Sequence, residues 1–196
     1  MSDNIRVGLI GYGYASKTFH APLIAGTPGM ALAAVSSSDA AKVHADWPSV
    51  PVVSEPKHLF NDPNIDLIVI PTPNDTHFPL AKAALEAGKH VVVDKPFTVT
   101  LSQARELDAL AKSLGRLLSV FHNRRWDSDF LGIKQIIEQG TLGKIKHLES
   151  HIDRFRPEVR VRWREQNVSG SGLWFDLGPH LIDQTLQLFG LPQSVQ

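Results

Sequence analysis

The 196-residue chain contains no cysteine, which removes disulfides, thiolate nucleophiles and thiolate metal sites from consideration and suits a reducing cytoplasm. It also lacks net charge: 20 lysines and arginines balance 20 aspartates and glutamates, so no overall field draws it to DNA, RNA or an anionic membrane. No apolar run approaches the roughly 20 residues that a membrane helix needs. The first strand-like run begins at Ile5, leaving no space for the apolar middle of a signal peptide. Internal repeats and low-complexity tracts are missing as well. The expectation is a soluble, cytoplasmic protein that binds neither nucleic acid nor membrane.

What is present is an ordinary globular balance of 42% hydrophobic and 20% charged residues. Short apolar runs alternate with amphipathic stretches, the pattern of a parallel sheet covered by helices. Strands are predicted over Ile5–Ile10, Ala31–Val35, Leu67–Ile70, His90–Val93 and Leu117–Phe121. Helices are predicted over Tyr14–Thr18, from near Ala21, and over Ala40–Trp47, Thr76–Ala87 and Leu101–Leu114. Pro22 is predicted to open a new helix rather than continue the one before it. Residues 1–121 thus read as an α/β, doubly wound dinucleotide-binding domain of the Rossmann type.

After Phe121 the pattern changes. Asp127–Gln139 is predicted helical, Ile145–Arg156 as one long strand, and Leu173–Phe189 as a helical region interrupted at Gly178-Pro179. One strand cannot make a stable sheet by itself. Residues 122–196 therefore read as the start of an α+β substrate and oligomerisation domain, truncated before further strands.

The first strand runs into Gly11-Tyr12-Gly13-Tyr14-Ala15-Ser16. In a dinucleotide loop, Gly11 permits the tight turn and Gly13 lets the backbone approach a pyrophosphate. The next helix supplies free N–H groups and a positive dipole end. The third glycine is replaced by Ser16, or by Ala15, either small enough for helix–strand packing. NAD-specific sites usually place an acidic residue at the end of the second strand. Here that end reads Val35-Ser36-Ser37-Ser38-Asp39. The hydroxyls of Ser36, Ser37 and Ser38, together with Lys42, suit a 2′-phosphate, so NADP is favoured over NAD, although NAD stays open. Asp39 reads as the cap of the following helix.

Further segments carry a family resemblance: Pro71-Thr72-Pro73-Asn74 with His77, Val93-Asp94-Lys95-Pro96, and Gly170-Ser171-Gly172-Leu173-Trp174-Phe175-Asp176-Leu177-Gly178-Pro179-His180. With the glycine loop, they resemble the Gfo/Idh/MocA family of sugar and polyol oxidoreductases across nearly the whole chain. Phe19-His20-Ala21-Pro22-Leu23, His122-Asn123-Arg124-Arg125-Trp126-Asp127, Arg156-Pro157-Glu158 and Arg162-Trp163-Arg164-Glu165 resemble its NADP-dependent scyllo-inositol dehydrogenase branch and related enterobacterial oxidoreductases. The resemblance implies hydride transfer between a nicotinamide and a sugar or inositol-like hydroxyl. It also implies a homodimer formed through the exposed face of the second-domain sheet.

Moving a hydride from an alcohol carbon requires a proton to leave the oxygen. Histidine, with an ordinary pKa of about 6.5, is a natural general base, and His180 takes that part. Asp176 lies four residues earlier, on the same face of a continuous helix, where it could orient the imidazole. Pro179 is expected to break that helix. Asp183 is either a second orienting group or a solvated helix carboxylate. Lys95 is catalytic by resemblance, a donor that polarises the substrate oxygen. Its bond to Pro96 is expected to be cis.

Cofactor contacts are thereby expected at Gly11, Gly13, Tyr14, Ala15, Ser36, Ser37, Ser38, Pro71, Thr72, Asn74, His77, Asp94, Lys95, Pro96, Asn123 and Arg124. Substrate contacts are expected at Lys95, Arg124, Trp163, Asp176 and His180. Plainer readings stand beside these: His77 as a helix cap, and Arg124-Arg125 as a surface pair. Trp126 and Trp174 read as core; Trp163, between two arginines, is the better sugar-stacking candidate. His122, His147, His151 and His180 lack metal-ligand spacing, so no metal is expected. Two other functions fit the same scaffold, a non-catalytic nucleotide sensor and an NAD-assisted glycosidase; product analysis separates them.

Overall fold

The apolar runs form strands β1 (Ile5–Ile10), β2 (Met30–Ser36), β3 (Val52–Val53), β4 (Leu67–Ile70), β5 (His90–Asp94) and β6 (Leu118–Phe121). They make one six-stranded sheet in the order β3-β2-β1-β4-β5-β6, and every pairing is parallel. The structure, a computed structural model, describes residues 4–153, 155–158, 161 and 165–196. It falls into two units, Met1–Phe121 and His122–Gln196.

In the first unit, the period of two along each strand sends successive side chains to opposite faces of the sheet. Val69 joins Val7, Leu9, Val35 and Val43 in one apolar cluster. Its neighbours Ile68 and Ile70 join Leu59, Ile65, Leu85 and Leu107 in the other. Helices α1 (Ala21–Gly26), α2 (Ala40–His44), α3 (Pro56–Phe60), α4 (Asn74–Glu86) and α5 (Leu101–Ser113) link the strands. α5 begins with a capping box between Thr100 and Gln103, which satisfies two N–H groups that a helix start leaves without partners.

Two local expectations are corrected, and two short elements were missed. Pro22 does not open a new helix. A π-helical turn, Ser16–His20, leads directly into α1, and the Ala21 N–H bonds to the Ser16 carbonyl five residues back. The wider turn realigns the hydrogen bonds just where proline has no N–H to give. α2 stops at His44 rather than Trp47. β3 and α3 went unpredicted because each is very short: two and five residues. β3 forms only by pairing with the tip of β2.

The second unit contains a 3-10 turn (Asn123–Trp126), α6 (Ser128–Glu138) and α7 (Leu173–Phe189). The expected strand at 145–156 is absent among its described residues. A strand requires a partner for its backbone groups, and no described segment supplies one. The expected break at Pro179 is also absent, since α7 runs through it for 17 residues. Proline crowds the Cβ of the residue before it, and here that residue is Gly178. Trp126 and Trp174 are not core residues, being 76% and 70% exposed. The Trp174 ring lies over Gly178, where an added Cβ would sit 3.1 Å from it. Among the described residues no helix is long and apolar enough to cross a membrane.

Candidate active site

In an open parallel sheet, ligands bind beyond the carboxyl ends of the strands where the strand order reverses. Here β1 lies between β2 and β4, so that point is set by the loops after β1 and β4. Gly11 leaves β1 with φ +78°, a left-handed conformation that side chains disfavour, and its N–H bonds to the Ser36 carbonyl at 2.7 Å. Gly13 differs: its φ is not positive, and an added Cβ would meet no atom of the described residues within 4 Å. Neither strain nor packing within the chain calls for glycine there. The open space is what a pyrophosphate approaching the backbone needs.

The loop is anchored from beneath. Tyr12 is buried, and its hydroxyl donates to Asp46 Oδ2 at 2.9 Å. Burial, then the Asp46 carboxylate, push the Tyr12 phenol up to about 12. Asp46 in turn pairs with Lys17 at 2.9 Å, and hydrogen bonds from Lys17 and Tyr12 hold its carboxyl below the usual range. Ser16, in the third-glycine position, is fully buried, as close helix–strand packing requires. Tyr14 is exposed, with its ring edge-on to Phe19, and Ala15 is half-buried.

A cleft of about 410 Å³ opens beside the loop, lined by Gly11, Gly13, Ser36, Ser37, Ser38 and Lys42, with Ser54 contributing from the loop after β3. Asp39 also lines it, but its carboxylate caps α2 by accepting the Lys42 N–H at 3.0 Å. The Asp39 N–H donates to Ser37 Oγ at 3.1 Å. The strand tip therefore offers hydroxyls and one lysine ammonium, a donor set that fits a phosphate better than a ribose diol. Ser54 was invisible in the sequence because it reaches the cleft only through the β2–β3 pairing.

At the ends of β4 and β5, Asn74 is buried at the start of α4, next to Pro71 and Thr72. The Lys95-Pro96 peptide is cis, and Lys95 is half-buried. Asp94 Oδ1 accepts the Lys95 backbone N–H at 2.8 Å. Asp94 Oδ2 lies 3.7 Å from His20 Nε2, and the His20 ring packs on Phe121 at 4.3 Å between centroids. Burial raises the Asp94 carboxyl, but the His20 imidazole and the Lys95 amide and charge outweigh it, so it stays below its ordinary value. His77 is corrected as a cofactor contact. It is fully buried, with Nδ1 2.8 Å from the Pro96 carbonyl oxygen and Nε2 2.9 Å from that of Thr72. Nor does it cap α4, whose start carries no side-chain cap; the Thr76 hydroxyl donates to the Pro73 carbonyl at 2.7 Å.

In the second unit, the unbroken α7 places Asp176, His180 and Asp183 on one side of the helix by their spacing of four and three. His180 and Asp183 are both buried. Asp183 is thus not a solvated carboxylate. Arg125 grips it with two hydrogen bonds, Nε to Oδ2 at 2.7 Å and Nη2 to Oδ1 at 2.6 Å, and His122 Nδ1 lies 3.9 Å from Oδ1. The Asp183 carboxylate raises the Arg125 guanidinium despite partial burial. Gln184 adds a bond to the Arg124 carbonyl at 3.1 Å. These contacts fix Asn123 and Arg124 against the helix that carries His180. The Arg124 guanidinium is held by Asp127 at 3.0 Å. Arg125 and Asp183, 58 residues apart, share no local sequence pattern, which is why their pairing escaped the sequence. Trp163, with Arg162 and Arg164, lies outside the described residues.

Residues 5–122 match the GFO/IDH/MocA oxidoreductase family with an NAD-binding Rossmann fold, and residues 130–196 match the GFO/IDH/MocA C-terminal domain. The chain is 80% identical to the uncharacterized oxidoreductase YdgJ of Escherichia coli, covering 100% of this chain and 56% of that protein. It is 43% identical to the scyllo-inositol 2-dehydrogenase (NADP(+)) IolW of Bacillus subtilis, over 98% of this chain and 54% of that one. Among solved structures, the YPO2259 oxidoreductase of Yersinia pestis superposes with a TM-score of 0.92 at 73% identity, over 98% of this chain and 54% of that one. A Synechocystis biliverdin reductase in complex with biliverdin and NADP+ superposes with a TM-score of 0.79 at 32% identity, over 97% and 60%. The chain spans about half the length of the curated relatives it matches.

Proposed function

The chain belongs to the Gfo/Idh/MocA family of NAD-binding Rossmann oxidoreductases, and on that premise we propose that it is the nucleotide-binding part of an NADP-preferring dehydrogenase acting on a sugar or inositol-like hydroxyl. The observation that carries the reading is the cleft where Gly11 and Gly13 face Ser36, Ser37, Ser38 and Lys42, with Asp39, which also lines it, occupied as a helix cap. The NADP-dependence of a 43% identical relative supports the cofactor preference. The same relative's named activity supports the substrate class.

A bound nicotinamide supplies the hydride acceptor. The chain's own residues do the remainder. Gly13 leaves room for the pyrophosphate, and the Ser36–Ser38 hydroxyls and Lys42 receive the 2′-phosphate. Lys95 donates to the substrate oxygen and favours its deprotonated form. His180 takes the hydroxyl proton, with Asp176 orienting its ring.

The test is calorimetric titration of the purified protein with NADP(H) and NAD(H), followed by turnover of inositols and simple polyols. Tighter NADP(H) binding and a keto product, with Lys95→Ala lowering kcat by about 100-fold or more, are the expected results. Tighter NAD(H) binding overturns the cofactor preference, and binding of neither overturns the reading altogether.

A further inference from the structure

The geometry points to His77 as a positioning residue: a buried two-ended clamp that fixes the backbone on either side of the proposed cofactor and lysine positions by tying the Thr72 loop to the Lys95-Pro96 loop. It rests on the reading of Lys95 given above, but its structural half stands independently.

The argument begins with burial. His77 has 0% exposure, and a buried imidazole leaves both nitrogens needing partners. Both find backbone carbonyl oxygens, Nδ1 that of Pro96 at 2.8 Å and Nε2 that of Thr72 at 2.9 Å. Carbonyls only accept. The clamp therefore needs hydrogen on both ring nitrogens, since a ring with only one N–H would serve a single carbonyl. An apolar side chain would fill the space without desolvating a polar ring, so packing alone does not explain the histidine.

The two carbonyls have something in common. β4 and β5 are adjacent parallel strands, and Thr72 and Pro96 belong to the loops that follow them, on the ligand-binding edge of such a sheet. His77 is the side chain of α4 that joins these loops from below. Lys95 is consequently held on both sides. Its own N–H is taken by Asp94 Oδ1 at 2.8 Å, and the carbonyl of the next residue by His77 Nδ1. With the backbone fixed at both points, the lysine side chain projects from a defined base, which is how a remote residue raises kcat without touching substrate.

The two ends can be separated experimentally. In His77→Asn the amide nitrogen stands near the Nδ1 position and retains the Pro96 contact. In His77→Gln it stands near Nε2 and retains the Thr72 contact. Amide hydrogen exchange of the full chain, resolved to peptides covering 71–76 and 95–98, is the primary readout. His77→Asn is expected to speed exchange about tenfold at 71–76 alone, and His77→Gln at 95–98 alone, as the loss of one buried hydrogen bond predicts. His77→Ala is expected to speed both. In turnover, His77→Gln is expected to lower kcat with little change in KM. Combining it with Lys95→Ala is expected to cost little beyond Lys95→Ala by itself, because the two act through one group. Equal loosening of both loops in both amide variants overturns the clamp, as does slow exchange at 95–98 in His77→Ala. A normal kcat for Lys95→Ala overturns the reading of Lys95 instead, and leaves the exchange pattern to decide the clamp.

Discussion

Replacing each loop glycine by alanine separates two reasons for having a glycine, and the expected signs are opposite. At Gly11, φ is +78°, and an L-residue forced into that region costs about 1–2 kcal/mol. The added Cβ would approach nothing closer than the Thr72 methyl at 3.7 Å, an ordinary contact, so strain is the whole cost. At Gly13, φ is not positive and no atom of the described residues lies within 4 Å of an added Cβ. There alanine stiffens the unfolded chain and is expected to raise stability by roughly 0.4–1 kcal/mol. It also puts a methyl group where the pyrophosphate must meet backbone N–H groups. Losing one hydrogen bond to a charged group is worth about 1.5–3 kcal/mol, which weakens NADP(H) binding by about 10-fold to 150-fold. Urea denaturation gives the first quantity and calorimetric titration the second. Unchanged NADP(H) affinity in a stable Gly13→Ala protein would refute the assignment of that space to a pyrophosphate. An undiminished stability for Gly11→Ala would refute the strain argument.

The other expectations are smaller in scope. One tyrosine should ionise only near pH 12, seen as a late rise in tyrosinate absorbance that Tyr12→Phe abolishes; because the folded value is raised, the stability linked to the protonated phenol is complete below about pH 10 and lost as pH climbs toward 12. Asp94 works in the other direction, with its folded value depressed from 3.8: its contribution is present above that pH and lost on further acidification, so Asp94→Asn should flatten the acid limb of the stability curve measured by denaturation. Asp183→Asn leaves the Arg125 charge short of its partner, but that side chain is 39% exposed, so the cost should be roughly 1–3 kcal/mol rather than the 3–5 of a fully buried pair. Arg125→Met combined with Asp183→Leu should recover most of that loss in the same urea experiment; failure to recover would show that the pair does more than neutralise itself.

Much of the fold follows from local order in the sequence. β1, β4, β5 and β6 are short β-branched or aliphatic runs closed by glycine, proline or polar residues, and α5 declares its start through Thr100 and Gln103. Gly11 and Gly13 could be read because the strand–turn–helix that gives them meaning is contiguous. The same local grammar misjudged both prolines. Pro22 and Pro179 stay within helices because neighbours absorb the missing N–H or the crowding, through a π turn in one case and Gly178 in the other. The expected strand at 145–156 shows the opposite error, since alternating polarity describes a strand that a partner must complete. β3 exists only beside β2.

Within the site, the sequence determined the chemistry on offer: a glycine loop, a serine-rich strand tip, a lysine before a proline, and a histidine and aspartate at helical spacing. Tertiary structure alone decided how those groups are used. It brought Ser54 into the cleft. It locked Asp183 to Arg125 across 58 residues, and sank His77 beneath two loops 19 and 5 residues away. The reason is physical. Backbone propensity and hydrophobic period act over a turn or a strand, whereas a buried polar side chain must find its partner wherever the folded chain supplies one.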